Sequence, residues 1–225
     1  KNDGVYLPGQ FSNPDNVAAH AEITGPETLE QLKAFSKVPD HVVAGVGTGG
    51  TIMGLARAFK EVNPDCQAHP LEPLNSPTLS TGYKTGAHKI AGISDEFVPS
   101  ICKLNELDSI VSIDDIDSII MAQRLSRELG LGVGISSGAN FIGAVMALRA
   151  SDPSGCAVTV FAGMGFAALF KFIIDGLKLV SGEISFRVKG FAGEIGTQIY
   201  PAVMSVGYIC GARISSYMFA GGVLS

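Results

Sequence analysis

The chain has 225 residues, 46% of them hydrophobic and 16% charged, with a net charge of -5. That length can bury a core in one large or two small domains, and the mild acidity with scattered Lys and Arg excludes a basic, aromatic-interleaved stripe for nucleic acid. The four cysteines, Cys66, Cys102, Cys156 and Cys210, stand far apart without a C-x-x-C pair, which argues against a zinc site or a disulfide framework and fits reduced thiols in the cytoplasm.

The chain starts at Lys1 in a Gly-Val-Tyr-Leu-Pro-Gly turn, with no initiator methionine or apolar signal segment, and reads as the middle of something longer. Asn13-Pro14-Asp15-Asn16 is turn chemistry before a short helix over Val17–Glu22. Thr24-Gly25-Pro26-Glu27 punctuates it ahead of a second helix reaching about Phe35. A strand over His41–Val46 and a helix over Thr51–Val62 follow, closed by Asn63-Pro64-Asp65. Gln67–Glu72 reads as the next strand, and Pro70, which cannot donate to a ladder, predicts an edge or broken one.

Residues Asn75 to Cys102 form short turns and loops, held by recurring apolar residues such as Leu79, Ile90 and Phe97. A strand at Ser109–Ile113 precedes a helix running to Leu129. Asp114 and Asp115 lie in its first turn, Ile116, Ile119, Ile120, Leu125 and Leu129 stand at helical spacing, and Gly130 stops it. A serine turn at Ser136–Gly138, a helix from Phe141 to about Ala150 and a buried strand over Ala157–Phe161 complete the series. Alternating strands and helices predict an α/β fold, a parallel twisted sheet with flanking helices whose ligands sit at the carboxyl ends of the strands.

The most informative run is His41-Val42-Val43-Ala44-Gly45-Val46-Gly47-Thr48-Gly49-Gly50-Thr51, passing directly into a helix. A β-branched segment ending in glycines lets backbone N–H groups converge where a helix presents its positive end, and Thr48 and Thr51 add hydroxyls. That is a phosphate socket. Gly45-x-Gly47-x-x-Gly50 also fits the dinucleotide fingerprint, with Glu72 about where a ribose-binding acid falls. No Gly-Lys-Ser or Gly-Lys-Thr follows, so a triphosphate site is excluded. On these residues a nicotinamide enzyme and a monophosphate cofactor both stand.

Several segments in order resemble the cysteine synthase (O-acetylserine sulfhydrylase) and cystathionine β-synthase group of fold-type II pyridoxal-phosphate enzymes. They are Gln10–Asn16, His20, Thr24–Glu27, Gly47–Thr51, Glu72-Pro73, His88–Ile93 and Gly134–Asn140, across residues 4 to 161. The resemblance implies an incomplete tryptophan synthase β-like fold and pyridoxal 5'-phosphate as cofactor. It also implies a small amino-acid substrate, a homodimeric parent and β-replacement of O-acetyl-L-serine by sulfide to give L-cysteine and acetate. Carried over residue by residue, Gly47, Thr48, Gly49, Gly50 and Thr51 wrap the cofactor phosphate, and Ser136 meets the pyridine nitrogen. Gln10 contacts the substrate carboxylate and Gly92 lines the substrate pocket. Read alone, Ser136 fits a helix N-cap equally well.

Other residues have plainer readings. His20 and His88 are structural or loop hydrogen-bonders, His41 and His69 strand-edge residues, and none suggests a metal site; Asp114, Asp115 and Asp117 read as helix-start and solvent charges.

Two departures from the group shape the expectation. The lysine that anchors the cofactor aldehyde, in a Ser-x-Lys-Asp-Arg-like segment, is absent, as is a Thr-Ser-Gly-Asn-Thr-like substrate loop. The isolated chain is therefore expected to be inactive, a carboxyl-terminal portion of its parent. After Phe161 the pattern stops. Residues 162–225 read as a divergent apolar tail whose runs are too short or too interrupted by Pro201 for a membrane span, which suggests an altered reading frame. An NAD(P)-binding oxidoreductase and a non-catalytic homologue serving as a binding subunit are the alternatives.

Overall fold

Five consecutive residues of β1 (His41–Gly45) carry the fold: Val42, Val43 and Ala44 are wholly buried, because neighbours cover the strand on both faces and both edges. The computed structural model describes residues 8–161 and the backbone of two further strands. The chain divides into two compact units, Gln10–Ala162 on the one hand and Lys1–Gly9 with Gly163–Ser225 on the other. In the second unit the described strands β5 (Glu183–Arg187) and β6 (Glu194–Gln198) pair antiparallel. The rest of the divergent tail lies outside the described residues.

In the first unit β1, β2 (Gln67–Pro73), β3 (Val111–Ile113) and β4 (Ala157–Thr159) form a parallel sheet in the order β3-β2-β1-β4. Alternate residues of β1 serve opposite faces, as the two-residue strand period requires. Val42 and Ala44 join the cluster under α3 (Gly50–Val62), whereas Val43 joins the one under α6 (Ile135–Ala150). On α3, Ile52, Met53, Leu55 and Phe59 are almost wholly buried, each contributing on the order of 2 kcal/mol. The expected α/β sheet with helices on both faces is what the chain forms.

A helical stretch precedes the sheet: α1 (Asp15–Ala19), a π-helical turn over His20–Thr24 and α2 (Gly25–Lys33). The break read at Thr24–Glu27 is thus no break, since Pro26 occupies the opening turn of α2, where no intrahelical N–H is needed. Gly50, Gly54 and Ala58 form a seam on α3 against Asn16, His20 and Gly25. A Cβ on Gly50 would overlap the Asn16 amide, and one on Gly54 the His20 side chain.

Several expectations change. β2 is flanked on both edges, so Pro70 marks neither an edge nor a break. Leu71 turns its carbonyl to Val46 beside β1, so Pro70 faces the β3 side, where the registered ladder begins one residue later. The serine turn is the first turn of α6, which starts at Ile135 behind Gly134 rather than at Phe141; packing against α5 (Asp115–Leu129) overrides the weak helix preference of Ser and Gly. Ser136 is therefore not an N-cap. On α5, Asp114 caps the start by accepting from Ile116 N at 2.7 Å, and Gly130 ends it with φ 69°. Its buried face is Ser118, Ala122 and Leu125, while Ile116, Ile120 and Leu129 are exposed. β4 is a half-buried edge among the described strands.

His41 and His69 are buried, not strand-edge residues. Ser151 donates to Ala147 O at 3.1 Å, so it accepts from His41 Nε2 at 2.6 Å. His41 Nδ1 and His69 Nε2 hydrogen-bond to each other at 3.0 Å, and His69 Nδ1 meets Ser109 Oγ at 2.9 Å and Ser109 O at 3.2 Å. Asp115 is buried rather than solvated: its Oδ2 accepts from Lys89 N at 2.7 Å.

Candidate functional site

The turn after β1 is shaped by what surrounds it. Gly49 has φ 86°, the left-handed conformation, and a Cβ there would stand 2.6 Å from Cys102 Cβ. A Cβ on Gly47 would stand 2.6 Å from the carbonyl oxygen of Gly92, itself at φ 86°. The loop carrying Gly92 is tied to the turn by Ser94 N, which donates to Val46 O at 2.8 Å. Two residues read separately from the sequence, Gly47 and Gly92, are thus neighbours.

The amides of Gly47, Thr48, Gly49 and Thr51 have no acceptor among the described residues, whereas Gly50 N donates to Thr48 Oγ1 at 3.3 Å. Met53 N, from the fourth residue of α3, bonds Gly49 O at 3.1 Å. Unsatisfied N–H groups at a helix start, walled by glycines, make a cradle for an anion. Among the described residues no group of three or more His, Cys, Asp or Glu is placed to hold a metal.

Asn16 Nδ2 donates to Thr48 Oγ1 at 3.0 Å and to Gln10 O at 2.8 Å, which brings Gln10 to the same rim. Phe11 is held there by its edge-on contact with Phe97, ring centroids 5.2 Å apart. His20 Nε2 hydrogen-bonds with Thr51 Oγ1 at 3.3 Å and its Nδ1 with Thr24 Oγ1 at 3.1 Å; burial lowers its pKa and favours the neutral ring. Burial also pushes the Cys102 thiol up to about 11, so the wall beside Gly49 carries no thiolate.

Ser136 is half-buried, four residues before Asn140 on α6. Asn140 is buried and accepts from Gly45 N at 2.9 Å while its Nδ2 donates to Val160 O at 2.8 Å. Because α6 leads back to a parallel strand, its start points beyond the carboxyl end of β1. Ser136 therefore sits about 6 Å further along the helix axis than Asn140. The sequence pattern contained Asn16 and Asn140 without assigning either a role; each is recognisable only from the partner its amide finds in space.

Glu72 is not free for a ribose. It is 1% exposed, and its Oε2 accepts from Leu79 N at 2.7 Å and Ser80 N at 3.2 Å, while Oε1 accepts from Ser80 Oγ and, at 3.1 Å, Ser112 Oγ. It fixes the start of the short helix α4 (Thr78–Thr81) instead. His88 bonds Ser94 O at 3.4 Å, the loop role read for it.

Residues 1–163 match the family model described as pyridoxal-phosphate dependent enzyme. The chain is 40% identical over 160 residues to a probable cysteine synthase of Bacillus subtilis (strain 168), covering 71% of this chain and 51% of that protein. It is 54% identical to the crystal structure of a hydrogen sulfide-producing enzyme from Fusobacterium nucleatum, with a TM-score of 0.67 over 69% of this chain and 46% of that one. The cysteine synthase of Entamoeba histolytica is 31% identical, with a TM-score of 0.65 over 80% of this chain and 51% of that one. The chain spans about half the length of the curated relatives it matches. With the family model matching residues 1–163, most of its length, the chain belongs to the pyridoxal-phosphate dependent enzyme family.

Proposed function

We propose that residues 8–161 form the cofactor-phosphate side of the active site of a cysteine synthase-like enzyme, which replaces the acetoxy group of O-acetyl-L-serine by sulfide to give L-cysteine and acetate. The observation that carries this reading is the run of amides at the positive end of α3, Gly47, Thr48, Gly49 and Thr51 among them, that have no acceptor among the described residues. They hold the phosphate of pyridoxal 5'-phosphate, with the threonine hydroxyls adding donors. The bound coenzyme supplies the electron sink for loss of the Cα proton and departure of the β-substituent. Ser136 meets the ring nitrogen. Its neutral hydroxyl, unlike a carboxylate, leaves that nitrogen largely unprotonated, which moderates the sink and suits β-substituent loss. Gln10 and Gly92 line the substrate end of the cleft, the first for the substrate carboxylate.

Among residues 8–161, Lys33 pairs with Glu30 at 2.8 Å, Lys60 with Asp108 at 3.1 Å and Lys84 with Glu96 at 3.9 Å, and no lysine of the chain stands in a Ser-x-Lys-Asp-Arg-like segment. The 225-residue chain is therefore inactive by itself, and the reaction belongs to the whole enzyme, a cytoplasmic homodimer acting on a small amino acid. The free thiols of Cys66, Cys102 and Cys156 support the reducing compartment.

A chimera of the Bacillus subtilis relative carrying residues 8–161 of this chain tests the reading. It forms L-cysteine from O-acetyl-L-serine and sulfide; a folded, cofactor-loaded chimera that forms none contradicts it. Identity of 54% to a hydrogen sulfide-producing enzyme favours a second reading, in which a thiol is the leaving group. Sulfide release from L-cysteine as the chimera's main activity would select that one.

A further inference from the structure

Asn16 is the second residue of α1, half-buried against the head of α3. Chemistry fixes its amide orientation. The carbonyl of Gln10 can only accept, so Nδ2 faces it at 2.8 Å, and the other hydrogen of Nδ2 goes to Thr48 Oγ1 at 3.0 Å. Gly50 N donates to the same oxygen at 3.3 Å. Both acceptor lobes of the Thr48 hydroxyl are then engaged, and its proton has no acceptor among the described residues.

We propose that Asn16 is a positioning residue of the anion site: by donating to Thr48 Oγ1 it commits that hydroxyl to act as a donor toward the phosphate held by Gly47–Thr51. The inference rests on the phosphate reading above. A threonine hydroxyl left to itself rotates and can spend its proton on a nearby carbonyl; one already accepting two hydrogen bonds keeps the proton directed outward. The seat exists because Gly50 has no Cβ, which would overlap the Asn16 amide. His20, one turn later, does not fix Thr51 in the same way, since its Nε2 gives or takes the bond according to tautomer.

The test is equilibrium dialysis of the 225-residue chain against pyridoxine 5'-phosphate, an alcohol that forms no imine with surface lysines. Native chain, Asn16→Ala, Thr48→Val and the double variant are compared. Each single change lowers affinity about tenfold, and the double variant binds within about twofold of Thr48→Val, because Asn16 acts through the hydroxyl that is already gone. Losses that multiply to about a hundredfold would make Asn16 a prop for the Gln10–Asn16 segment and overturn the inference alone. If Asn16→Ala does not fold, the near-isosteric Asn16→Asp takes its place. Its loss shrinks at least about threefold in the Thr48→Val background, and an unchanged loss overturns the inference. A native chain that retains no pyridoxine 5'-phosphate overturns the phosphate reading and this inference together.

Discussion

Asn140 accepts from Gly45 N at 2.9 Å and donates to Val160 O at 2.8 Å, so one buried side chain of α6 joins the end of β1 to the chain leaving β4. The carboxyl ends of two neighbouring strands are set by it, and with them the place where the glycine turn begins. Asn140→Ala leaves the half-buried N–H of Gly45 and C=O of Val160 without partners and costs about 2–4 kcal/mol. Asn140→Asp keeps the acceptor for Gly45 and loses the donor to Val160. Urea unfolding of both variants places the midpoint of Asn140→Ala clearly below native.

Gly49 and Gly82 both have positive φ, 86° and 83°, yet only Gly49 is walled in: a Cβ there meets Cys102, and one on Gly82 meets nothing within 4 Å. Gly82→Ala therefore costs the left-handed penalty alone, about 1–2 kcal/mol. Gly49→Ala pays that and the overlap, and loses anion binding as well. Thermal unfolding ranks Gly49→Ala below Gly82→Ala by several degrees; equal midpoints would mean that the turn yields without cost.

Burial lowers the pKa of both His20 and His69, so each binds its proton more readily in the unfolded chain. Stability then rises with pH through this window: it is complete above the unfolded value of about 6.5 and is lost as pH falls toward the lower folded values. Urea midpoints at pH 7.5 and 5.5 differ in native chain, with the lower value at pH 5.5, and His69→Gln narrows the gap.

Glu72 spends both oxygens on Leu79, Ser80 and Ser112. Glu72→Gln replaces one acceptor by a donor facing hydroxyls and costs about 1–3 kcal/mol, read as a lowered urea midpoint. Calorimetric titration of the native chain with NAD gives no saturable heat, because the acid that a ribose requires is already engaged.

The turn and its two flanking elements were legible because local physics specifies them: a β-branched run, glycines, then a helix that starts on unsatisfied amides. The boundaries of α5 were legible for the same reason, through the Asp114 cap and Gly130. What was not legible depends on partners distant in sequence. Pro70 sits inside the sheet because β3 begins pairing only after it. Ser136-Ser137-Gly138 is helical because α6 packs on α5, which no local propensity reports. His41 and His69 read as edge residues until Ser109 and Ser151, from elsewhere in the chain, complete their hydrogen bonds. At the site, glycines and threonines announce themselves by spacing, whereas Asn16 acquires a role only when Thr48, 32 residues away, comes within 3.0 Å.

Equilibrium dialysis of the native chain against pyridoxine 5'-phosphate and, separately, against pyridoxine tests the central claim most directly. The amides of Gly47–Thr51 predict saturable, one-to-one retention of the phosphorylated compound, displaced by inorganic phosphate, with pyridoxine held at least about tenfold more weakly. Equal retention of the two compounds, or retention of neither, would contradict the account.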